Sequence, residues 1–198
     1  MRSPSPRAGG PRGAGRFSGA VRRKRGKRVK EAYFAGGCFW CVTPSFRDAP
    51  GVTGVTSGYS GGEEADPTYE AVKSQRTGHR ETVRVTYDES LTSFQALFDL
   101  FLESVDPFDG GGQYIDRGRS YTLAAYYGNE EERTCAEKAL RKLEAASGRT
   151  PAVALEPFRA FYEAEEYHQD YDLKNPEAFE KELRESGRLS PKEREDAR

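Results

Sequence analysis

The chain has 198 residues, of which 35% are hydrophobic and 12% aromatic, enough for one domain with a sizeable core. Its three cysteines are too few for a disulfide scaffold, and no run approaches the roughly 18 apolar residues of a membrane span or the apolar core of a signal peptide. We therefore expect a soluble, cytoplasmic protein with reduced thiols and no membrane partner.

Charge is divided unevenly along the chain. Residues 1–30 carry eleven basic side chains and no acidic ones, so a whole-chain charge of -1 leaves -12 for the remainder. This arm is rich in Gly, Pro, Ser and Arg and has few large apolar groups to bury, which predicts a disordered basic extension. Residues 31–180 are expected to form the folded domain. Residues 181–198 are expected to be a charged tail, with a short surface helix before a frayed end.

The first half of the domain begins with a short apolar strand, EAYFA, and the Gly36-Gly37 turn. A helix is predicted near residues 38–47; because Pro44 would cost about 3 kcal/mol inside a helix, the helix could instead begin only at Thr43. The segment GVTGVTSGY supplies a second strand bounded by glycines. The segment ETVRVTY is a third, and its alternation places on one face Glu81, Val83, Val85 and Tyr87.

The second half begins with an apolar stripe at helical spacing from Phe94, behind Ser90 and Thr92, either of which could cap the helix. YTLAAYY makes a fourth strand. The order strand, helix, strand, strand, helix, strand is typical of a ferredoxin-like two-layer α+β sandwich. An additional amphipathic helix between Asn129 and Gly148, a strand near 152–156 and a long coil C-terminal region complete the predicted fold.

The stretch AGGCFWCVTP places Cys38 and Cys41 three positions apart, as in metal half-sites, dithiol redox motifs and some nucleophilic sites. A zinc site fails on ligand count, so we predict no metal and no cofactor. Cys38 follows a strand and two glycines at a helix start, where backbone NH groups and the helix dipole lower a thiol pKa. The Phe39-Trp40 pair favours a wall that receives a small apolar group near sulfur. Structural cysteines remain the alternative.

Several motifs, in their order along the chain, resemble the A-type peptide-methionine sulfoxide reductases: GCFWC, SGYSGG, DPTYEAV, TGHRETVRVTYD and AEEYHQDYDLKNP. The resemblance covers about residues 32–179 and joins separate motifs in the right order, so it is specific. It implies reduction of methionine S-sulfoxide, free or in proteins, by an enzyme recharged by thiols or a thioredoxin-like dithiol. The family fold is also a ferredoxin-like α+β core, and residues 31–180 are then the catalytic domain.

The resemblance implies that Cys38 is the nucleophile, that Phe39 and Trp40 hold the substrate's methyl group, and that Glu81 protonates the sulfoxide oxygen. This oxygen is a poor leaving group, so attack on sulfur needs a proton donor in a site that excludes water. Glu81 suits this role because it shares a strand face with apolar side chains, and desolvation raises a carboxyl pKa towards the neutral acid.

Three further residues match the family's substrate pocket. Tyr69 and Tyr121 match two tyrosines that hydrogen-bond the sulfoxide oxygen, and Asp116 matches an acidic residue of the pocket. Around Tyr121 the family usually reads Gln-Tyr-Arg-Ser, whereas this chain has Thr122 and Leu123 after the tyrosine. The details of this side of the pocket can therefore differ from the family pattern.

The sulfenic acid formed at Cys38 must be resolved, and this C-terminal tail lacks the cysteines and glycine run that many family members carry there. We predict that Cys41 is the resolving thiol, because one turn of helix can bring two such sulfurs within disulfide reach. Cys135 competes, but it lies on the apolar stripe of its helix, where a thiol is normally inert. Direct reduction of the sulfenic acid by external thiols stays open.

Two other functions stay open from the residues alone. The basic arm could recruit nucleic acid while the cysteines are structural, although its one aromatic residue, Phe17, offers little for stacking and we do not expect nucleic acid as a partner. The cysteine pair could also serve a general disulfide oxidoreductase. The predicted partners are methionine sulfoxide and a thioredoxin-like reductant, and the predicted state is a monomer.

Overall fold

The computed structural model describes residues 28–188, so most of the predicted basic extension and the last ten residues lie outside the described residues. The strands are β1 (Val29–Ala35), β2 (Val52–Ser60), β3 (Arg80–Asp88), β4 (Gly112–Gln113), β5 (Asp116–Arg117), β6 (Ala124–Tyr127), β7 (Ala154–Pro157) and β8 (Phe161–Glu163). The helices are α1 (Phe39–Arg47), α2 (Tyr69–Lys73), α3 (Phe94–Ser104), α4 (Glu130–Ser147), α5 (Tyr171–Lys174) and α6 (Pro176–Glu185), with 3-10 turns at Arg119–Tyr121 and Glu166–His168.

Six strands form one sheet in the order β7-β6-β1-β3-β2-β8. Every pairing in it is antiparallel except β6 with β7. The predicted alternation of β3 is confirmed, since the face that carries Glu81 also carries Val83, Val85 and Tyr87, all at most 2% exposed. The β2–β3 register pairs Tyr59 with Glu81 at the end of β3 nearest the cysteine turn.

Helices α1 and α3 bury an aromatic core against this sheet. Phe34 of β1 stacks on Phe46 of α1 and Phe101 of α3, at centroid distances of 5.4 and 5.2 Å. The predicted apolar stripe of α3 is buried, but its predicted caps are wrong: Ser93 Oγ accepts from the Ala96 amide at 3.2 Å. Ser90 and Thr92 lie too early to cap the helix, because they belong to a turn in which the Asp88 carbonyl accepts from the Leu91 and Thr92 amides.

Three local predictions have different outcomes. Helix α1 starts directly after Cys38 and continues through Pro44, so the alternative start at Thr43 is wrong. The fourth strand is shorter than predicted, because Tyr121 belongs to the 3-10 turn before β6. Helix α4 is confirmed at both ends: Asn129 accepts from the Glu132 amide at 2.9 Å, and Gly148 closes the helix with a φ of +67°.

The C-terminal region is more ordered than the predicted long coil. After β7 it forms β8, a 3-10 turn, α5 and α6, and α6 begins at Pro176. Asp172 of α5 accepts two hydrogen bonds from the guanidinium of Arg47 in α1, which fastens this region beside the cysteine helix. Within residues 28–188, no helix is both long enough and apolar enough to cross a membrane.

Candidate active site

Cys38 lies between β1 and α1, at the point where the chain leaves the sheet. Its carbonyl accepts the first helical hydrogen bonds of α1, from Cys41 at 3.1 Å and Val42 at 3.3 Å. The preceding Gly37 has a φ of +85°, and a Cβ there would lie 2.8 Å from Gln113 and 3.1 Å from Arg188. Glycine at this position lets two other segments close over the cysteine, which is 5% exposed.

The groups around Cys38 oppose the lowering of its pKa that the helix start was expected to produce. A side-chain hydrogen bond with Cys41 and burial raise the Cys38 pKa well above its ordinary value, and the nearby carboxylates Glu81 and Asp116 raise it further. In this state Cys38 holds its proton at neutral pH.

Glu81 lies at the start of β3 with its carboxylate against the first turn of α1. It is 2% exposed, and its Oε2 accepts a hydrogen bond of 3.0 Å from the amide of Phe39. Burial raises the pKa of Glu81 to about 8, even though this hydrogen bond favours the ionised form. At neutral pH Glu81 is therefore mostly a neutral acid beside Cys38, as the family resemblance requires of a proton donor.

Tyr69 and Tyr121 converge on the same place from different segments. Tyr69 opens α2, where Thr68 caps the helix and the Tyr69 amide donates to Glu165 at 3.0 Å. Burial raises the pKa of both phenols, and the charges of Glu81 and Cys38 raise it further in each. Both tyrosines therefore stay neutral hydroxyl donors within electrostatic range of the thiol and the acid.

The turn that carries Tyr121 is held by side chains that depart from the family pattern. The Ser120 hydroxyl accepts from Gln75 Nε2 at 2.6 Å, and the Ser120 amide donates to Gln75 Oε1 at 3.0 Å. Thr122 accepts a hydrogen bond of 2.8 Å from Arg80, the residue before Glu81. The departure at Thr122 thus supports the acid-bearing strand, and Leu123 is buried in the core.

The two aromatic residues between the cysteines, Phe39 and Trp40, differ in exposure and in their contacts. Trp40 is partly exposed and stacks on Tyr171 of α5, with ring centroids 3.8 Å apart and planes 10° apart. Phe39 is 1% exposed and its ring lies 5.1 Å from His168 and 6.0 Å from Tyr59. Trp40 therefore offers the accessible part of an aromatic wall, and Phe39 supports it from the core side.

Asp116 and Cys41 both contact Arg188, a residue that the sequence analysis did not identify. Arg188, which lies in the predicted charged tail, is only 6% exposed, and its Nη1 is 2.9 Å from both Asp116 Oδ2 and Cys41 Sγ. The structure therefore brings the end of the predicted tail into the site. A basic residue after a short polar helix gives no signal that distinguishes it from a solvated one.

Cys135 is not brought to this cluster. It lies on α4, and its thiol donates to Gln95 of α3 at 2.9 Å. Burial raises the pKa of the Cys135 thiol, and the charges of Asp99 and of two acidic residues of α4 raise it further. Among residues 28–188, no group of three His, Cys, Asp or Glu side chains is arranged to hold a metal ion.

Comparison with known proteins gives one consistent family. A family model described as peptide methionine sulfoxide reductase matches residues 30–197. The peptide methionine sulfoxide reductase MsrA of Bacillus licheniformis is 45% identical over 150 residues, which are 75% of this chain and 83% of that protein. The structure is similar to methionine sulfoxide reductase A of Corynebacterium diphtheriae, with a TM-score of 0.68 and 31% identity over 75% of this chain and 76% of that one. Mxr1 from Saccharomyces cerevisiae in reduced form gives 0.71 and 29%, over 75% and 87%.

Proposed function

Because the chain belongs to the peptide methionine sulfoxide reductase family, as the match over residues 30–197 shows, we propose a specific mechanism in which Cys38 and Glu81 reduce the S-sulfoxide of methionine. The chain is an oxidoreductase of methionine sulfoxide. The substrate is free methionine sulfoxide or the same group in a protein. Trp40, supported by Phe39, receives the methyl group, and Asp116 lines the pocket beside it.

The reaction moves one oxygen atom between two sulfur atoms. The sulfur of Cys38 attacks the sulfoxide sulfur, and Glu81 protonates the sulfoxide oxygen and then takes up the proton of the Cys38 thiol. The hydroxyl formed from that oxygen moves to the Cys38 sulfur as the transient bond between the two sulfurs breaks. Tyr69 and Tyr121 stabilise that oxygen with neutral hydroxyl donors. Methionine leaves with its sulfur reduced by two electrons, and Cys38 is left as a sulfenic acid, oxidised by two electrons.

One observation carries this proposal: a neutral carboxylic acid, Glu81, is buried against the helix start that presents Cys38. A sulfoxide oxygen needs this acid to leave, whereas a low-pKa thiolate can leave a disulfide without a proton, so the site fits a sulfoxide reductase better than a disulfide oxidoreductase. The test is a reductase assay on the separate R and S epimers of a methionine sulfoxide substrate, with dithiothreitol as reductant. We expect consumption of the S epimer only; consumption of neither epimer, or of both equally, would contradict the proposal.

Cys41 is the proposed resolving thiol. It follows Cys38 by one helical turn, its backbone amide bonds the Cys38 carbonyl, and the two thiols interact directly. After one equivalent of methionine sulfoxide, we expect the loss of two free thiols and a Cys38–Cys41 bridge in a peptide map. The Cys41→Ser variant should release one equivalent of methionine but lose recycling by thioredoxin. A bridge to Cys135, or recycling that is intact without Cys41, would contradict this role.

The remaining proposals concern the fold class, the domain boundaries, the oligomeric state and the location of the protein. The antiparallel order β6-β1-β3-β2, with α1 and α3 as crossovers, supports placing the core among ferredoxin-like α+β sandwiches. We place the catalytic domain at residues 28–188 rather than the expected 31–180, because β1 begins at Val29 and Arg188 contacts Cys41 and Asp116. A monomer in the cytoplasm with a thioredoxin-like reductant fits three cysteines that are all free.

A further inference from the structure

Arg188 lies inside the active site, shortly after α6 ends at Glu185. Its Nη1 is 2.9 Å from Cys41 Sγ and 2.9 Å from Asp116 Oδ2, and because this nitrogen carries two hydrogens it can donate one to each. The guanidinium carbon also stands 4.9 Å from the centre of the Tyr114 ring. A buried cation is thus fixed by three partners, and one of them is a cysteine sulfur.

We propose that Arg188 serves the regeneration of the enzyme: its guanidinium stabilises the thiolate of Cys41, which attacks the oxidised Cys38. The inference rests on the proposed role of Cys41 as the resolving thiol. It assigns a chemical task to the segment after α6, which the sequence predicts to be only a charged tail.

The two thiols have different charged neighbours. Glu81 of β3 and Asp116 of β5 act on Cys38, while Glu182 of α6 and Lys73 of α2 act on Glu81 next to it. Cys38 stands among the carboxylates, and its hydrogen bond with Cys41 and its burial favour the protonated thiol. The charge of Arg188 acts on both thiols, but of the two sulfurs its guanidinium forms a hydrogen bond only with that of Cys41. A full positive charge at 2.9 Å in a partly buried site stabilises an anion more than the same charge in water does.

The regeneration step balances without a further oxidant. The Cys41 thiolate attacks the sulfenic sulfur of Cys38, a sulfur–sulfur bond forms, and the sulfur–oxygen bond breaks. Hydroxide leaves and takes up a proton to become water. The Cys41 sulfur is oxidised to the disulfide level and the Cys38 sulfur is reduced to it. Because a thiolate reacts and a thiol does not, the ionised fraction of Cys41 at neutral pH sets the rate of this step.

The first experiment measures how fast iodoacetamide alkylates Cys41 as a function of pH, in the folded Cys38→Ser, Cys135→Ser protein, where Cys41 is the remaining cysteine. We expect Arg188→Gln to move the midpoint of this profile upward by about one pH unit or more, which is roughly tenfold less thiolate at neutral pH. Arg188→Lys should fall between, since it keeps the charge but not the planar fork. An unchanged midpoint in Arg188→Gln overturns the proposal.

Two further variants test whether a change in the midpoint is specific to the Arg188 charge. Arg184→Gln is the matched control, because this arginine of α6 is exposed and pairs with Glu180, and its midpoint should stay that of the parent. Asp116→Asn removes the carboxylate that shares Nη1 and should lower the midpoint, because the guanidinium charge is then less compensated. An unchanged or raised midpoint in Asp116→Asn counts against the proposal, and it decides the question should Arg188→Gln not fold.

The second experiment follows bridge formation after one equivalent of methionine sulfoxide, by quenching and mass mapping, in proteins that retain all three cysteines. Arg188→Gln should form the Cys38–Cys41 bridge about tenfold more slowly at neutral pH and approach the native rate at alkaline pH. Slowing by one factor at every pH would indicate a merely structural role and overturn the inference. If the native protein turns over without any bridge, both the role of Cys41 and that of Arg188 are wrong; a bridge whose rate ignores Arg188 contradicts the inference alone.

Discussion

At the scale of single residues, the burial of Glu81 determines where the reaction obtains its proton. The carboxyl is 2% exposed and its pKa is raised to about 8, so it is protonated when substrate binds at neutral pH. We expect Glu81→Gln to slow single-turnover methionine formation by about 100-fold to 10,000-fold with little loss of binding, because the amide keeps the shape but has no proton to transfer. An unchanged single-turnover rate would leave Glu81 a structural residue.

The same pKa predicts the alkaline limit of activity. As pH rises through about 8, Glu81 loses its proton, and the native enzyme should lose kcat/KM over this range. In Glu81→Gln the residual rate should lack this fall, since the amide does not titrate. Measuring kcat/KM for both proteins across pH 6 to 10 checks the assignment, and a fall that persists in the variant would trace the limit to another group.

The raised pKa of Glu81 also predicts how the free energy of unfolding depends on pH. Its pKa in the folded protein, about 8, lies above the ordinary 4.5, so the folded state binds the proton more tightly than the unfolded state. The stability that this group contributes is complete below pH 4.5 and is lost as pH rises towards 8. Because one pKa unit corresponds to about 1.4 kcal/mol, the loss is on the order of a few kcal/mol. Urea unfolding should show that Glu81→Gln gains stability relative to the native protein over this range; parallel curves would contradict the shift.

Cys38 is the residue on which the whole mechanism depends. We expect Cys38→Ser to abolish sulfoxide reduction while the far-ultraviolet and near-ultraviolet circular dichroism stay native, because a serine oxygen is a far weaker nucleophile than a cysteine sulfur. Cys135→Ser is the matched control and should retain activity, since its thiol is occupied by Gln95 on another part of the fold. A substantial rate in Cys38→Ser would rule the mechanism out.

At the scale of elements, helix α4 shows how a local signal sets a boundary. The Asn129 side chain accepts a hydrogen bond from the Glu132 amide. Three glutamates occupy the first turn, where their negative charges interact favourably with the positive end of the helix dipole. We expect Asn129→Ala to lower the free energy of unfolding by about 1 kcal/mol, and Asn129→Asp to restore most of it. Urea denaturation measures both, and specific activity should not change. Equal stability of the alanine variant would mean that packing alone sets this helix end.

The elements that were predictable from sequence are those whose signals are local. Asn129 and Gly148 bound α4 because each acts on its own helix end, and β3 follows from strict alternation. The predicted caps of α3 are wrong because residues 88–92 form a turn closed by the Asp88 carbonyl, which delays the helix to Phe94. Tyr121 lies outside the fourth strand because Gln75, 45 residues before Ser120, holds the turn through Ser120.

At the scale of the whole molecule, the active site combines residues that local sequence signals predict with one that only the folded chain brings in. Cys38 and Glu81 could be expected together, because a quoted family motif carries each one and the strand alternation buries the acid. Arg188 could not, because it contacts Cys41 across 147 positions of sequence through a region predicted to be coil and tail. Long-range contacts of single side chains depend on the path of the intervening chain, here β8, α5 and α6, which leaves no periodic signal.

The two ends of the chain should therefore respond differently to truncation. We expect a protein without residues 1–27 to keep full activity on small sulfoxides and full thermal stability, because that segment has few apolar groups to bury and the described fold begins at Arg28. Arg28 and Lys30 both pair with Glu89, and the Arg28 carbonyl accepts from the Glu89 amide.

A matched truncation through Lys30 removes those contacts and part of β1, so it should lower the melting temperature. A third protein that ends at Glu185 lacks Arg188 and should still release methionine in one turnover, but with slow recycling by thioredoxin. Melting curves, single-turnover burst size and steady-state rates on free methionine sulfoxide separate the three. Loss of activity on removal of residues 1–27 would show that this arm belongs to the catalytic domain.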